Sequence, residues 1–565
     1  MTSTLPNRLA RLLLLAIVFW VAGMPVLSLL LGSVHQGIHG AFTGRYIREV
    51  FLTDAYVGPL LSTLQLAGSV GVVAASIGIV IAWIMSRLRP PGHAVFEIAV
   101  MAPIFISPFI GAIGWITLGQ PNAGMLNVVL REFGLPQINI ISYGGTVFIM
   151  ALFFAPYAYT LLRHAIDRLN QELEEAAAIC GAGQVRTIFG VVLPLLWPSL
   201  LSAVIIIFIL SAEMFSIPGL ILVPRGAEFL AYTVYARTMT WPINQAEASA
   251  VGLILLLITV FGMLLYAKSV VVQERFITIG PKSPRLGGSA GSGKTRLAAF
   301  TILVIFVLCS SVLPVLAIIV RALVPFFSGS FNLAQFSLRN IESALSDRLA
   351  LTSLWNSLIV TAAAVPLLLC VAFLVALGRV RGKGGIATIT WIIASIPIAV
   401  PGVLVGVGLI WLYIGTPIYA SLYIIVLVML ARFLPVVVRL FETGLLQLGN
   451  ELEEAAGVCG ASDSAVTRHI RLPLLGGAIS AAAMLVGTQV FNELTASALL
   501  FTSTSNVLPV VIFNYMFDGN YARACALALV QIVVILAGLS IAGLVRLVFR
   551  MRSTNLHRLD LALSA

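Results

Sequence analysis

Residues Glu172 to Leu200 read ELEEAAAICGAGQVRTIFGVVLPLLWPSL, and Glu451 to Ser480 read ELEEAAGVCGASDSAVTRHIRLPLLGGAIS, the same pattern 279 residues later without a gap. In each copy a Glu-Ala-Ala triplet (Glu175, Ala176, Ala177; Glu454, Ala455, Ala456) precedes a glycine (Gly181; Gly460). A β-branched residue, Leu and Pro follow (Val191, Leu193, Pro194; Ile470, Leu472, Pro473). Glu and Ala favour helix, Gly can adopt the left-handed conformation that ends one, and Pro suits the first turn of the next. The stretch therefore predicts helix, turn, helix, set twice between apolar spans.

Composition fixes the class around these loops. The 565 residues are 60% hydrophobic and 10% charged, with a mean hydropathy of +1.05, too little polar surface for a soluble globule. An all-α integral membrane protein is expected. The net charge of +11 does not point to nucleic acid, because the basic residues cluster at the ends of apolar spans, as in loops facing anionic lipid. The five cysteines (Cys180, Cys309, Cys370, Cys459, Cys525) are odd in number and lack metal-ligand spacing. Cys180 and Cys459 read as small residues beside the motif glycines.

Runs of spanning length lie near residues 12–31, 60–85, 94–116, 144–162, 195–212 and 246–267, then 297–320, 358–380, 386–411, 419–440, 474–490 and 524–545. That is twelve, six on each side of a polar, Gly-rich interval at 268–296. The expected organisation is a first repeat over 1–267 with its loop near 164–194, a linker over 268–296, and a second repeat over 297–565 with its loop near 441–473. Six spans per repeat put both halves in the membrane in the same sense. Lys and Arg concentrate on the side that holds both termini, the linker and both Glu-Ala-Ala loops, which the positive-inside rule makes cytoplasmic.

The repeat extends beyond the loops. Phe154-Ala155-Pro156 matches Phe433-Leu434-Pro435, and in the third span of each half Pro103, Pro108, Gly111 and Gly114 resemble Pro397, Pro401, Gly402 and Gly406. Packing is the simpler reading of these residues. Gly288 to Thr295, GSAGSGKT, fits the letters of a phosphate-binding loop, yet Pro281 and Pro284 precede it and an apolar span follows. A flexible Gly/Ser linker explains the same letters.

Glu-Ala-Ala, Gly, then Ile or Val, Leu and Pro at these spacings resembles the EAA loop of the membrane subunits of binding-protein-dependent ABC importers, with Val191 in place of the usual Ile. The resemblance covers nearly the whole chain, and implies a type I importer permease with twelve helices in two fused repeats. It implies that the fourteen motif residues couple the chain to two copies of an ABC ATPase subunit. It also implies an exterior solute-binding protein, an inner-membrane location, and ATP hydrolysis on a separate subunit, so that the chain is no enzyme and needs no cofactor or metal of its own. Small residues let such a helix sit flush in a partner's groove, and the glycine presents it. Neighbouring Asp167, Arg168, Glu172 and Glu174 read as solvated.

Fused duplicates of this kind resemble the ferric iron permeases, with thiamine and aminoethylphosphonate permeases related in architecture. Phe491-Asn492-Glu493-Leu494-Thr495-Ala496 is similar to a Glu-Leu-Pro-Ala-like stretch of the iron group, with Thr495 departing from it. Glu493 and its near counterpart Glu213 are candidates for the translocation path, since an intramembrane carboxylate is costly and iron(III) favours oxygen ligands. The structural reading, a Glu that binds backbone N–H groups where a helix breaks, is preferred. A twelve-span secondary transporter would lack EAA loops and carry acid or His relays, whereas the obvious acid inside a span is Glu97, near its end. Nothing in the sequence supports a membrane enzyme.

Overall fold

A computed structural model describes residues 4–36, 40–275, 293–324, 336–382 and 384–563. The phosphate-loop-like string lies outside the described residues except for Gly293, Lys294 and Thr295, which open a helix. Likewise, of the 268–296 interval, Lys268 to Arg275 extends the preceding helix.

Among the described residues, nine helices are long and apolar enough to cross a bilayer, and three bent pairs bring the total to twelve if each pair is one span. Helices are the natural solution because a bilayer offers no partner for an unpaired backbone N–H or C=O. Each expected run has its helix or bent pair. The third spans, however, are not continuous: His93–Phe105 meets Pro108–Gly119 at 95°, and Gly385–Ala399 meets Gly402–Tyr413 at 113°. Pro108 and Pro401 explain the breaks. A proline lacks an N–H and pushes the residue before it out of the helical region; Ser107 (ψ 133°) and Val400 (ψ 116°) are both non-helical. The eleventh span is also bent, by 67°, between Asp463–Leu474 and Gly476–Phe491.

The chain forms two compact units that cut across the sequence order. One comprises Met1–Gly40, Leu345–Ile512 and Val530–Ala565; the other comprises Ala41–Ala344 and Phe513–Leu529. Each unit thus takes its leading span from the other half of the sequence. In the first unit Ser28 Oγ donates to the Gly408 carbonyl at 2.7 Å, and a Cβ on Gly408 would lie 1.9 Å from the Pro25 oxygen. In the second unit Trp115 Nε1 donates to the Cys309 carbonyl at 3.1 Å, and a Cβ on Gly114 would lie 2.5 Å from the Pro314 oxygen. Glycine is required at both places by backbone approach. Gly114 and Gly408 are each the seventh residue of the helix after the break, so Gly114 corresponds to Gly408 and not to Gly406 as the letters suggested.

Candidate functional site

Each Glu-Ala-Ala stretch folds as a short helix closed by a left-handed glycine. The first helix is Gln171–Ile179, capped by the Asn170 side chain, which accepts from the Glu172 N–H at 3.1 Å. The second is Glu451–Val458. Gly181 (φ 79°) and Gly460 (φ 80°) lie where a Cβ would strain the backbone. The closures match bond for bond: Gly181 N–H to Ala178 O and Ala182 N–H to Ala177 O, Gly460 N–H to Gly457 O and Ala461 N–H to Ala456 O, all between 2.9 and 3.0 Å. This is the paired bonding that satisfies a helix's last carbonyls. The chain then turns through Gln184–Thr187 or Asp463–Val466 into a wide-turn segment, Ile188–Val192 or Thr467–Arg471, before Pro194 and Pro473 open the next helix.

The outward faces mix charge with uncovered apolar surface. Glu175, Ala176, Glu454 and Ala455 are exposed, Ala177 and Ala456 half-buried. Ile179 is 87% exposed and Val458 90%, at equivalent places, with Leu173 and Leu452 exposed a turn and a half earlier. On the following segments Val191 and Ile470 are half-buried, Leu193 is half-buried, and Pro194, Leu472 and Pro473 are exposed. An apolar side chain held this far out on a polar loop marks a surface suited to a partner.

The inward faces carry ion pairs, and Glu174, expected to be solvated, is one of their members. Arg87, at the end of the second span, donates from Nη2 and Nε to Glu174 Oε1 at 2.7 and 3.1 Å, and from Nη2 to the Ile166 carbonyl at 3.4 Å. Arg381, at the end of the eighth span, donates from Nε to Glu453 Oε1 at 3.1 Å and from Nη2 to the Leu445 and Leu448 carbonyls at 3.2 and 2.8 Å. Arg471 adds a second cation, donating to Glu453 Oε2, Asp463 Oδ1 and Thr467 Oγ1, each at 2.8 Å. The Arg471 hydrogen bond is the largest influence holding the Glu453 carboxyl below its ordinary value, against burial, which acts the other way. The signal in the sequence is a pair of arginines closing the second span of each half, Arg87 and Arg89 in one and Arg379 and Arg381 in the other.

Glu213 and Glu493 are not equivalent. Glu213 caps the helix Leu193–Ala212, the place Asn492 holds after Gly476–Phe491; Glu493 is one residue further on. Glu213 is half-buried. Glu493, 5% exposed, accepts from Arg432 Nη1 at 2.8 Å, from the Ala496 and Ser497 N–H groups at 3.1–3.2 Å, and from Ser497 Oγ at 3.3 Å. These are the bonds expected of a carboxylate that organises a helix break, with an intramembrane arginine as its counter-ion. By the offset of the loops, Arg432 stands where the first half has Phe153.

A family model for the inner membrane component of binding-protein-dependent transport systems matches residues 71–270 and, a second time, 369–552. The chain belongs to that family. The permease is 26% identical over 553 residues to the ferric transport system permease protein FbpB of Actinobacillus pleuropneumoniae, across 94% of its own length and 76% of that relative's. It is 24% identical to the Fe(3+)-transport system permease protein FbpB 2 of Haemophilus influenzae, across 84% and 87%. Identity to the putative 2-aminoethylphosphonate transport system permease protein PhnU of Salmonella typhimurium is 27% but spans 41% of the permease and 80% of the relative. The permease is thus an all-α, multi-pass inner membrane subunit of an ABC importer, of a family that works with an ATPase and a solute-binding protein.

Proposed function

We propose that the permease forms both membrane halves of an importer for iron(III), receiving it from an exterior binding protein and driven by two copies of an ABC ATPase on the cytoplasmic side, where both termini lie. The observation that carries this reading is the doubled loop: two equivalent helices, each presenting Glu175 or Glu454, two alanines and an uncovered Ile179 or Val458. Two equal presenting surfaces suit two equal ATPase subunits. The motif residues from Glu175 to Pro194 and from Glu454 to Pro473 are the coupling elements, and the first repeat, linker and second repeat divide at 267/268 and 296/297.

Iron is favoured because the relatives whose names specify ferric transport align along most of the chain, whereas the aminoethylphosphonate relative aligns along less than half. Arg432 pairs with Glu493 in place, so that carboxylate carries no argument against an anionic phosphonate. Aminoethylphosphonate therefore stands as the second reading. Uptake of radioactive iron, labelled aminoethylphosphonate and labelled thiamine, by cells carrying the permease with its ATPase and binding protein, separates them. Iron uptake alone is expected; uptake of either organic substrate without iron overturns the assignment. Glu213 is retained as a candidate path residue: its Gln variant should lower iron uptake, and unchanged uptake removes it from the route.

A further inference from the structure

Arg87 and Arg381 each join the same three elements: the end of one span, the closing carbonyls of another, and the inward carboxylate of a Glu-Ala-Ala helix. Ile166 and Leu445 lie 279 residues apart, as do Glu174 and Glu453, while Arg87 and Arg381 lie 294 apart, as do Thr63 and Ser357, which accept equivalent backbone bonds on the same two spans; the junction is thus built twice from equivalent places, once within each compact unit. A contact of chance would not recur with the same three partners. Arginine suits the place because its planar fork engages a carboxylate and a carbonyl at once in fixed geometry, which a lysine ammonium does not. The charges also complement the helices, with a cation against the C-terminal carbonyls of Tyr143–Arg168 and Leu422–Gln447 and a carboxylate in the first turn of each loop helix.

We propose that Arg87 and Arg381 are positioning residues that strut the two loop helices, through Glu174 and Glu453, to the second and fourth spans of each repeat, so that displacement of a loop helix moves those spans with it. The proposal rests on the coupling role assigned to the loops above. It separates two glutamates that adjoin in sequence: Glu175 and Glu454 face outward to the partner, while Glu174 and Glu453 face inward and carry the motion. The two struts also differ in what can replace them. Exchanging the charges of Arg87 and Glu174 keeps a pair, but an arginine at 453 would meet Arg471.

The test uses the complete transporter, permease with ATPase and binding protein in proteoliposomes, and reads ATP hydrolysis with and without loaded binding protein, together with the ATPase retained on purification. Arg87→Gln, which removes the charge but keeps a polar side chain, and Glu174→Arg should each retain the ATPase and basal hydrolysis while losing stimulation by about tenfold, an effect of one broken charge pair. The double exchange R87E with E174R, which re-forms the ion pair but not the bond to Ile166, should recover part of the stimulation lost in Glu174→Arg, and R381E with E453R should recover none. Undiminished stimulation in Arg87→Gln overturns the strut, as does a folded first-loop exchange that restores nothing. If Glu175→Gln with Glu454→Gln keeps full stimulation while Arg87→Gln loses it, the outward coupling assignment fails and the strut stands. If the unaltered complex shows no stimulation, both fall.

Discussion

Where the first loop carries Val192, 3% exposed, the second carries Arg471, 6% exposed. Around that exchange the two loops keep one backbone, with the same left-handed glycine, the same pair of closing bonds and the same wide turn before the proline. Their charges differ. Among the described residues Glu174 pairs with one cation, Arg87, and Glu453 with two, Arg381 and Arg471, and Arg471 reaches on to Asp463 across the turn. Backbone shape is therefore set by glycine and proline, and the firmness of its attachment by ion pairs that can vary independently. The second loop is the more firmly tied, though at a cost, since Arg471 Nε is buried without a hydrogen-bond partner among the described residues.

The largest expected effect breaks that comparison at its centre. Glu453→Gln leaves the poorly exposed Arg381 without its carboxylate and Arg471 with Asp463 alone, and should destabilise by about 3 kcal/mol, whereas Glu174→Gln, which affects Arg87 alone, should lose about 1–2 kcal/mol. Thermal unfolding of both variants in the same detergent checks this; equal shifts in Tm would mean that Arg471 adds nothing.

A smaller effect is expected when the second loop is given the first loop's residue. Arg471→Val keeps the Arg381–Glu453 pair and frees Asp463, whose side chain is already 81% exposed, so about 1 kcal/mol should be lost. The same variant has a pH signature. The folded Glu453 carboxyl lies below its ordinary value of 4.5, so its stabilisation is fully present above pH 4.5 and disappears as pH falls through the lower folded value. Without Arg471 that folded value should rise towards 4.5, and the loop should loosen at a higher pH on acidification. Hydrogen exchange of residues 451–471 between about pH 3 and 7 reads the shift; an unchanged profile would assign the depression to Arg381 instead.

The smallest effect on stability is expected outside the network. Glu175→Gln and Glu454→Gln alter exposed carboxylates and should change unfolding by no more than about 0.5 kcal/mol, while removing substrate-dependent uptake when combined. Normal uptake by the double variant at normal abundance would remove the outward glutamates from coupling.

Membrane class, the place of every spanning run and the form of the two loops follow from residue order alone, because these depend on local properties. Twenty apolar residues match a bilayer wherever they occur, and a glycine ends a helix through its own backbone. Pro108 and Pro401 were visible too, but whether a proline kinks a span or breaks it by more than 90° depends on the helices around it. The rest was decided by tertiary structure. Arg87 lies 87 residues from Glu174, Arg381 lies 72 from Glu453, and Arg432 lies 61 from Glu493. Periodicity carries no record of partners that distant, so Glu174 read as solvated and Glu493 as the mate of Glu213. The exchange of leading spans was equally hidden: Pro25 meets Gly408 and Pro314 meets Gly114 because two backbones approach where side chains are absent. The sequence shows a glycine at such a contact but not which helix it admits.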